Sequence, residues 1–210
     1  MDRDDWNKRY ADQEFVWTVA PNQFLVADVR NLKPGRALDL GTGEGGNAVW
    51  LAEQGWQVTA VDFSEVGLTK AKQLAAARNV KVNWLLADVT RYRPRRGFYE
   101  LVLMCYLQLP AAQRRLVTAH ARDAVAPRGT FLYIGHDLSN LEHGHGGPQD
   151  PAVLCTPHDV VSELSGLEIL KAGVVQRQVS HEPGHGGESD AVALDALVLA
   201  RRASGKEIRA

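Results

Sequence analysis

The segment Leu38-Asp39-Leu40-Gly41-Thr42-Gly43-Glu44-Gly45-Gly46 constrains this chain more than any other. Gly41, Gly43 and Gly46 form a G-x-G-x-x-G pattern between an apolar run, Arg36 to Leu40, and a helical pattern, Gly46 to Gln54. Glycines there let the backbone turn tightly and approach a ligand, and the helix that follows offers free N–H groups. A strand leading through such a turn into a helix opens a βαβ unit and predicts a parallel sheet.

The rest of the chain repeats that alternation. Strands are expected at Trp56 to Val61, Val80 to Leu86, Tyr99 to Cys105 and Thr130 to Gly135, with Pro127-Arg128-Gly129 as a turn before the last. Helices are expected after Ser64 as far as about Arg78, from Pro110 to about Ala126, and from Pro157 to Ser165. Before the glycine loop, Asp4 to Asp12 and Gln23 to Asn31, the latter capped by Asn22, read as two further helices ended by Pro34-Gly35. Leu167 to Val179 and Ala191 to Arg201 are strand-like and joined by a short polar loop, so they pair antiparallel. The expected fold is α/β: a Rossmann-like, seven-stranded, mostly parallel sheet with an antiparallel last strand and helices on both faces. Residues 1–202 form one domain, with 1–33 as a helical lid and 203–210 as a flexible tail.

Composition excludes several partners. The 210 residues carry a formal charge of -1, which gives no general attraction to nucleic acid or anionic membrane. Arg91, Arg93, Arg95 and Arg96 read as a solvated loop. Two distant cysteines make no disulfide framework. The charged start Met1-Asp2-Arg3-Asp4-Asp5 has no apolar leader core, and no apolar run reaches the roughly 18 residues of a membrane span. The expectation is a cytoplasmic protein, monomer or homodimer.

Three acids fall at the carboxyl ends of strands, where ligands bind in open sheets. Asp62 follows Gly41 by 21 residues and suits a ribose, which a dinucleotide and other adenosine ligands share. Asp39, inside the end of the first strand, suits an ammonium group and would sit badly beside a pyrophosphate. Asp88 can accept from an exocyclic adenine amine.

These segments resemble the motifs of class I S-adenosylmethionine-dependent methyltransferases. Leu38 to Gly45 looks like the first motif, Val61-Asp62-Phe63-Ser64 like the ribose-holding motif, and Ala87-Asp88-Val89 like the adenine-binding motif. The resemblance implies S-adenosylmethionine as cofactor, held by Asp39, Gly41, Thr42, Gly43, Asp62, Phe63, Asp88 and Val89, with Cys105 beside the transferring methyl group. Trp6-Asn7-Lys8-Arg9-Tyr10, Val16-Trp17 and Pro21-Asn22 resemble, more narrowly, the tellurite-resistance and thiopurine methyltransferase-like branch. Its members act on small, often soft nucleophiles, so a small-molecule acceptor (a thiol, a chalcogen oxyanion or a phenol) is implied, with no nucleic acid or membrane partner.

Candidates for the acceptor end are Tyr106, which follows the fourth strand, and His136, paired in sequence with Asp137 after the fifth. Neighbouring side chains on a strand diverge, so one of that pair faces the pocket. The branch also implies a functional histidine in the last loop, which points to His181, or His185 as its substitute. That branch often carries His where this chain has Gln108, so no base is expected there. Phe15 and Trp17 suit either an aromatic lid or helix docking. His143, Gly144, His145 and His185 match no zinc spacing, and no metal is expected.

Two other functions use the same loop: a non-catalytic adenosine-ligand binding protein and an NAD-dependent oxidoreductase. The latter would need a Tyr-x-x-x-Lys that is absent. A macromolecular methyltransferase would need a basic groove that the charge does not supply.

Overall fold

Seven strands form a single sheet in the order β3-β2-β1-β4-β5-β7-β6 in the computed structural model, which describes residues 2–12, 15–16, 19–179 and 191–204. They are β1 (Arg36–Leu40), β2 (Gln57–Asp62), β3 (Asn83–Leu86), β4 (Tyr99–Cys105), β5 (Val125–His136), β6 (Leu167–Gln178) and β7 (Val192–Arg202). Pairing is parallel from β3 through β5, while β7 runs antiparallel to both β5 and β6. Strand order reverses between β1 and β4, which places the ligand crevice at their carboxyl ends.

The helices are α1 (Arg3–Ala11), α2 (Gln23–Val29), α3 (Gly46–Glu53), α4 (Glu65–Ala77), α5 (Ala111–Ala124), α6 (Asn140–His143) and α7 (Pro157–Glu163). Strand alternation sorts the core into two layers. Leu38, Leu40, Val102, Met104, Phe131 and Tyr133 meet Val117 and Ala121 of α5 and Val160 of α7 on one face. Ala37, Leu101, Leu103, Leu132 and Ile134 meet Leu25 and Val29 of α2 and Ala48 and Leu51 of α3 on the other.

Helix ends follow the sequence. Asn22 Oδ1 accepts from the N–H groups of Phe24 and Leu25, and Ser64 Oγ from that of Gly67. After α3, Gly55 at φ 88 donates to Ala52 O while Trp56 N bonds back to Leu51 O. This Schellman ending uses the left-handed backbone that glycine tolerates.

Two boundaries differ from expectation. The third strand starts at Asn83 rather than Val80, because Val80 N bonds back to Ala75 O and the side chain packs against Val49, Leu74 and Ala75. An apolar residue expected in the sheet is therefore used to end α4. The fifth strand is longer than expected. It begins at Val125, loops out at Pro127-Arg128-Gly129 with Arg128 at φ 64, and re-pairs so that the register moves from Tyr99↔Val125 to Leu101↔Thr130.

Candidate cofactor and acceptor site

The glycine loop turns through left-handed backbone at Gly41 (φ 77), Gly43 (φ 54) and Gly45 (φ 85). The N–H groups of Gly41 and Thr42 both donate to Val61 O, at 2.8 and 3.1 Å, tying the loop to β2. Asp39, on β1, is 1% exposed and accepts from Thr42 Oγ1 at 2.7 Å. Asp62, at the end of β2, accepts from Gly43 N and Ser64 N, each at 2.8 Å. Each Asp62 oxygen thus holds one backbone bond, and a carboxylate oxygen has room for a second.

Burial pushes the Asp39 carboxyl up to about 7; the Thr42 hydroxyl opposes the rise and the neighbouring Asp62 charge adds to it. Burial also pushes Asp62 up, against the N–H groups of Ser64, Gly43 and Phe63. A buried carboxyl with one neutral donor is short of a positive partner. The residues present therefore fit S-adenosylmethionine: its ammonium group would answer Asp39, and its ribose hydroxyls the remaining lone pairs of Asp62.

The other residues expected on the cofactor divide into groups. Phe63 is half-buried beside Asp62, and Val89 is buried in the core layer that holds α5. Asp88 lies two residues beyond β3. Its Oδ1 accepts from the N–H and hydroxyl of Thr90 at 2.8 and 2.7 Å, so it builds its own turn, and its Oδ2 lies 4.0 Å from Arg91 Nε.

The N-terminal helix meets this loop. Ser64 Oγ donates to Asn7 Oδ1 at 2.6 Å. A Cβ on Gly43 would lie 2.7 Å from the Tyr10 hydroxyl oxygen. Glu44 is 6% exposed, and both its carboxylate oxygens lie 3.0 Å from Val16 N, so the glycine loop holds the segment that follows α1. Phe15 packs against Val49, Leu74 and Ala75, the helix-docking role of the two expected for it. Trp17 lies outside the described residues.

The acceptor candidates gather on the layer of the sheet that holds α2 and α3. Alternation gives Asp39 the side of Ala37, Cys105 that of Leu103, His136 that of Ile134, and Asp195 that of Leu197. The β5–β7 register sets His136 directly opposite Asp195. Tyr106, at φ 51, turns its ring back into this layer and donates its hydroxyl proton to Asp195 Oδ2 at 2.6 Å. Arg177 Nε donates to the same oxygen at 2.8 Å, with its guanidinium carbon 5.3 Å from the Tyr106 ring centre. His136 Nδ1 approaches Asp195 Oδ1 at 3.3 Å, and its ring lies 4.8 Å from that of Tyr106.

This cluster is joined to the glycine loop. Asn47, the second residue of α3, accepts from Asn22 N at 2.9 Å, and Asn22 Nδ2 donates to the Tyr106 hydroxyl at 3.4 Å. Burial, and then the charge of Asp39, push the Cys105 thiol well up, while a hydrogen bond to Asn47 opposes the shift. Cys105 is thus a neutral neighbour between the two acids and not a nucleophile.

Asp137 turns to the opposite side, where its Oδ1 accepts from Ser139 N and Oγ. The Gly/His-rich stretch is pinned: Asn140 Nδ2 donates to Gly146 O, His145 N donates to Val192 O, and Gly147 lies against the His136 imidazole. Among the described residues no three His, Cys, Asp or Glu side chains gather as a metal set. His181 and His185 lie outside the described residues. Asp195, Arg177, Asn22 and Asn47 went unrecognised as site residues in the sequence. For Asp195 the signal was present as a charge inside the apolar run Ala193-Leu194-Asp195-Ala196-Leu197.

Residues 37–129 match a family described as a methyltransferase domain. The chain is 34% identical over 104 residues to ribosomal RNA small subunit methyltransferase C of Alcanivorax borkumensis, a match covering 49% of this chain and 30% of that protein. It is 32% identical over 112 residues to ribosomal protein L11 methyltransferase of Thermus thermophilus, covering 53% of this chain and 42% of that protein. The chain thus spans less than half the length of these curated relatives. Among solved structures, TehB from Haemophilus influenzae superposes with a TM-score of 0.72 at 17% identity, over 95% of this chain and 66% of that one. NodS, an N-methyltransferase from Bradyrhizobium japonicum solved with S-adenosyl-L-homocysteine, gives 0.70 at 16% identity, over 95% and 97%. A structure from work on converting a disulfide bond into a thioacetal group in echinomycin biosynthesis gives 0.74 at 18%, over 98% and 94%. At these identities the structural likeness establishes the fold. Residues 37–129, which hold the glycine loop and its two buried acids, thus resemble a methyltransferase domain, and the rest of the chain shares the fold of these structures.

Proposed function

We propose that the whole chain transfers a methyl group from S-adenosylmethionine to a small-molecule acceptor, within the branch that includes tellurite-resistance and thiopurine methyltransferases. The observation that carries this reading is the part-buried polar chain that runs from Cys105, in the field of Asp39, through Asn47, Asn22 and Tyr106 to Asp195 and His136. It begins at the expected place of the cofactor's ammonium and ends at enclosed groups suited to a small ligand.

When bound, S-adenosylmethionine supplies a methyl group already activated on a sulfonium. The protein's task is then alignment and exclusion of water. Asp39, Thr42, Gly41, Gly43 and Asp62 hold the cofactor, with Phe63, Asp88 and Val89 bordering its adenine end. Cys105, Tyr106 and His136 border the acceptor. The segment held by Glu44 covers the loop.

The matched segments of the ribosomal RNA and ribosomal protein enzymes favour a second reading, a macromolecular acceptor. Those matches span only 49% and 53% of this chain. Incubation with labelled cofactor and a panel of thiols, phenols, halides and tellurite, beside ribosomal RNA and ribosomal protein, tests the proposal. Label on a small acceptor is expected; label confined to RNA or protein would overturn it.

A further inference from the structure

Asp195 is fully buried, yet its two oxygens are used unequally. Oδ2 accepts from both Tyr106 and Arg177, whereas Oδ1 makes no well-aligned hydrogen bond and faces His136 Nδ1 at 3.3 Å. The His136 side chain is itself 10% exposed. Desolvation works to raise the Asp195 carboxyl, but His136, the Arg177 charge and the Tyr106 hydroxyl together hold it below the usual carboxylate range. An ionised carboxylate only accepts, so it favours the tautomer in which the facing ring nitrogen, Nδ1, carries the proton. The neutral imidazole then keeps its lone pair on Nε2.

We infer that Asp195 is a positioning residue that fixes His136 in the Nδ1–H form, leaving Nε2 to take the proton of the methyl acceptor. The acceptor class is thereby a nucleophile that arrives protonated, a thiol or phenol, rather than a ready-made oxyanion. This rests on the small-molecule methyltransferase reading. The acceptor's X–H bond breaks and its proton passes to Nε2. The electron pair left on X forms the new X–CH3 bond, as the pair of the broken C–S bond stays on sulfur. The positive charge lost from the sulfonium is the one gained by the imidazole, and the imidazolium later releases its proton to water. A carboxylate on Nδ1 stabilises that cation without taking the proton itself.

Among the described residues, the charged and titratable groups around His136 are Asp195 on β7, Arg177 on β6, Cys105 and Tyr106 at the end of β4, Asp137 just beyond β5, and His145 in the covering loop. Arg177 Nε and the Tyr106 hydroxyl both donate to Oδ2, which leaves Oδ1 facing the imidazole.

The test uses the full chain, with a series of substituted thiophenols and phenols of falling pKa as probes. Asp195→Asn and His136→Gln are each expected to slow single-turnover methylation of the least acidic probes by ~100-fold or more. The penalty should shrink toward nothing for probes already ionised at the assay pH. S-Adenosylhomocysteine affinity should stay within about twofold of wild type. Nitrogen-15 NMR of the histidines supplies a readout independent of activity: His136 should show a protonated Nδ1 in the wild type and a mixed tautomer in Asp195→Asn. Equal penalties across the probe series, wild-type rates in both variants, or an Nε2–H form in the wild type would overturn the inference. So would a protein that binds S-adenosylhomocysteine yet methylates none of the thiols or phenols. Failure to bind S-adenosylhomocysteine at all would instead sink the methyltransferase reading beneath it. If Asp195→Asn does not fold, His136→Gln and the wild-type NMR decide the matter.

Discussion

The Tyr106 hydroxyl donates to Asp195 Oδ2 at 2.6 Å, closing the carboxyl edge of the sheet from the end of β4, across β5, to β7. Burial, and then the Asp195 charge, keep this phenol far above its ordinary pKa, so it acts as a neutral donor. Tyr106→Phe removes the donor and leaves Asn22 Nδ2 without that acceptor. A hydrogen bond to a charged group is worth ~1.5–3 kcal/mol, and a loss of that size is expected in urea denaturation. An unchanged midpoint would remove Tyr106 from the network.

Asp39 gives the site a pH dependence. Its carboxyl is pushed up to about 7, chiefly by burial, from the 3.8 of a free aspartate. Between these values the folded protein holds a proton that the unfolded chain has lost, so this group makes stability fall as pH rises through that window. An ammonium group favours the ionised form. Cofactor affinity should therefore rise with pH up to about 7, and binding below that pH should release a proton. Calorimetry at pH 6 in two buffers of different ionisation enthalpy measures the release, and Asp39→Asn should abolish it.

At Gly43 the backbone is left-handed, at φ 54, and an added Cβ would meet the Tyr10 hydroxyl at 2.7 Å. Gly43→Ala should cost ~1–2 kcal/mol from the backbone alone. The clash adds to that cost, and Tyr10→Phe should relieve only the added part. A double-mutant cycle in thermal denaturation separates the two contributions, and strict additivity would show that Tyr10 does not press on the loop.

Glu44 couples the glycine loop to the segment after α1 through Val16 N. Glu44→Ala should speed amide exchange at Val16 by ~10-fold or more, the equivalent of one charge-assisted hydrogen bond. It also removes the partner that Lys70 Nζ has at 3.0 Å, so stability should fall with it. Unchanged exchange at Val16 would mean that the latch is not formed in solution.

Much of the architecture was legible because its signals are local. Glycines after an apolar run, caps at Asn22 and Ser64, and alternating strands and helices each act over a few residues. The boundaries that shifted depended on longer-range effects. Val80 looks like a strand residue, but the Schellman ending of α4 claims it. The glycine loop and the acids proposed to hold the cofactor were legible for the same local reason, those acids lying at strand ends. The proposed acceptor end was only half legible. His136 and Tyr106 stood out, but their partner Asp195 is 59 residues from His136 in sequence and is brought opposite it by the β5–β7 register. No spacing rule links two strands that have α6, α7 and β6 between them. Period-two alternation places the two on one face only after the pairing is known.

Calorimetric titration of the full chain with S-adenosylhomocysteine, with NAD as control, tests the central claim most directly. Saturable one-to-one binding of S-adenosylhomocysteine and none of NAD is expected, with Asp62→Ala weakening the former by ~10-fold or more as its ribose acceptor is lost. No binding of S-adenosylhomocysteine, or tight binding of NAD in its place, would contradict it.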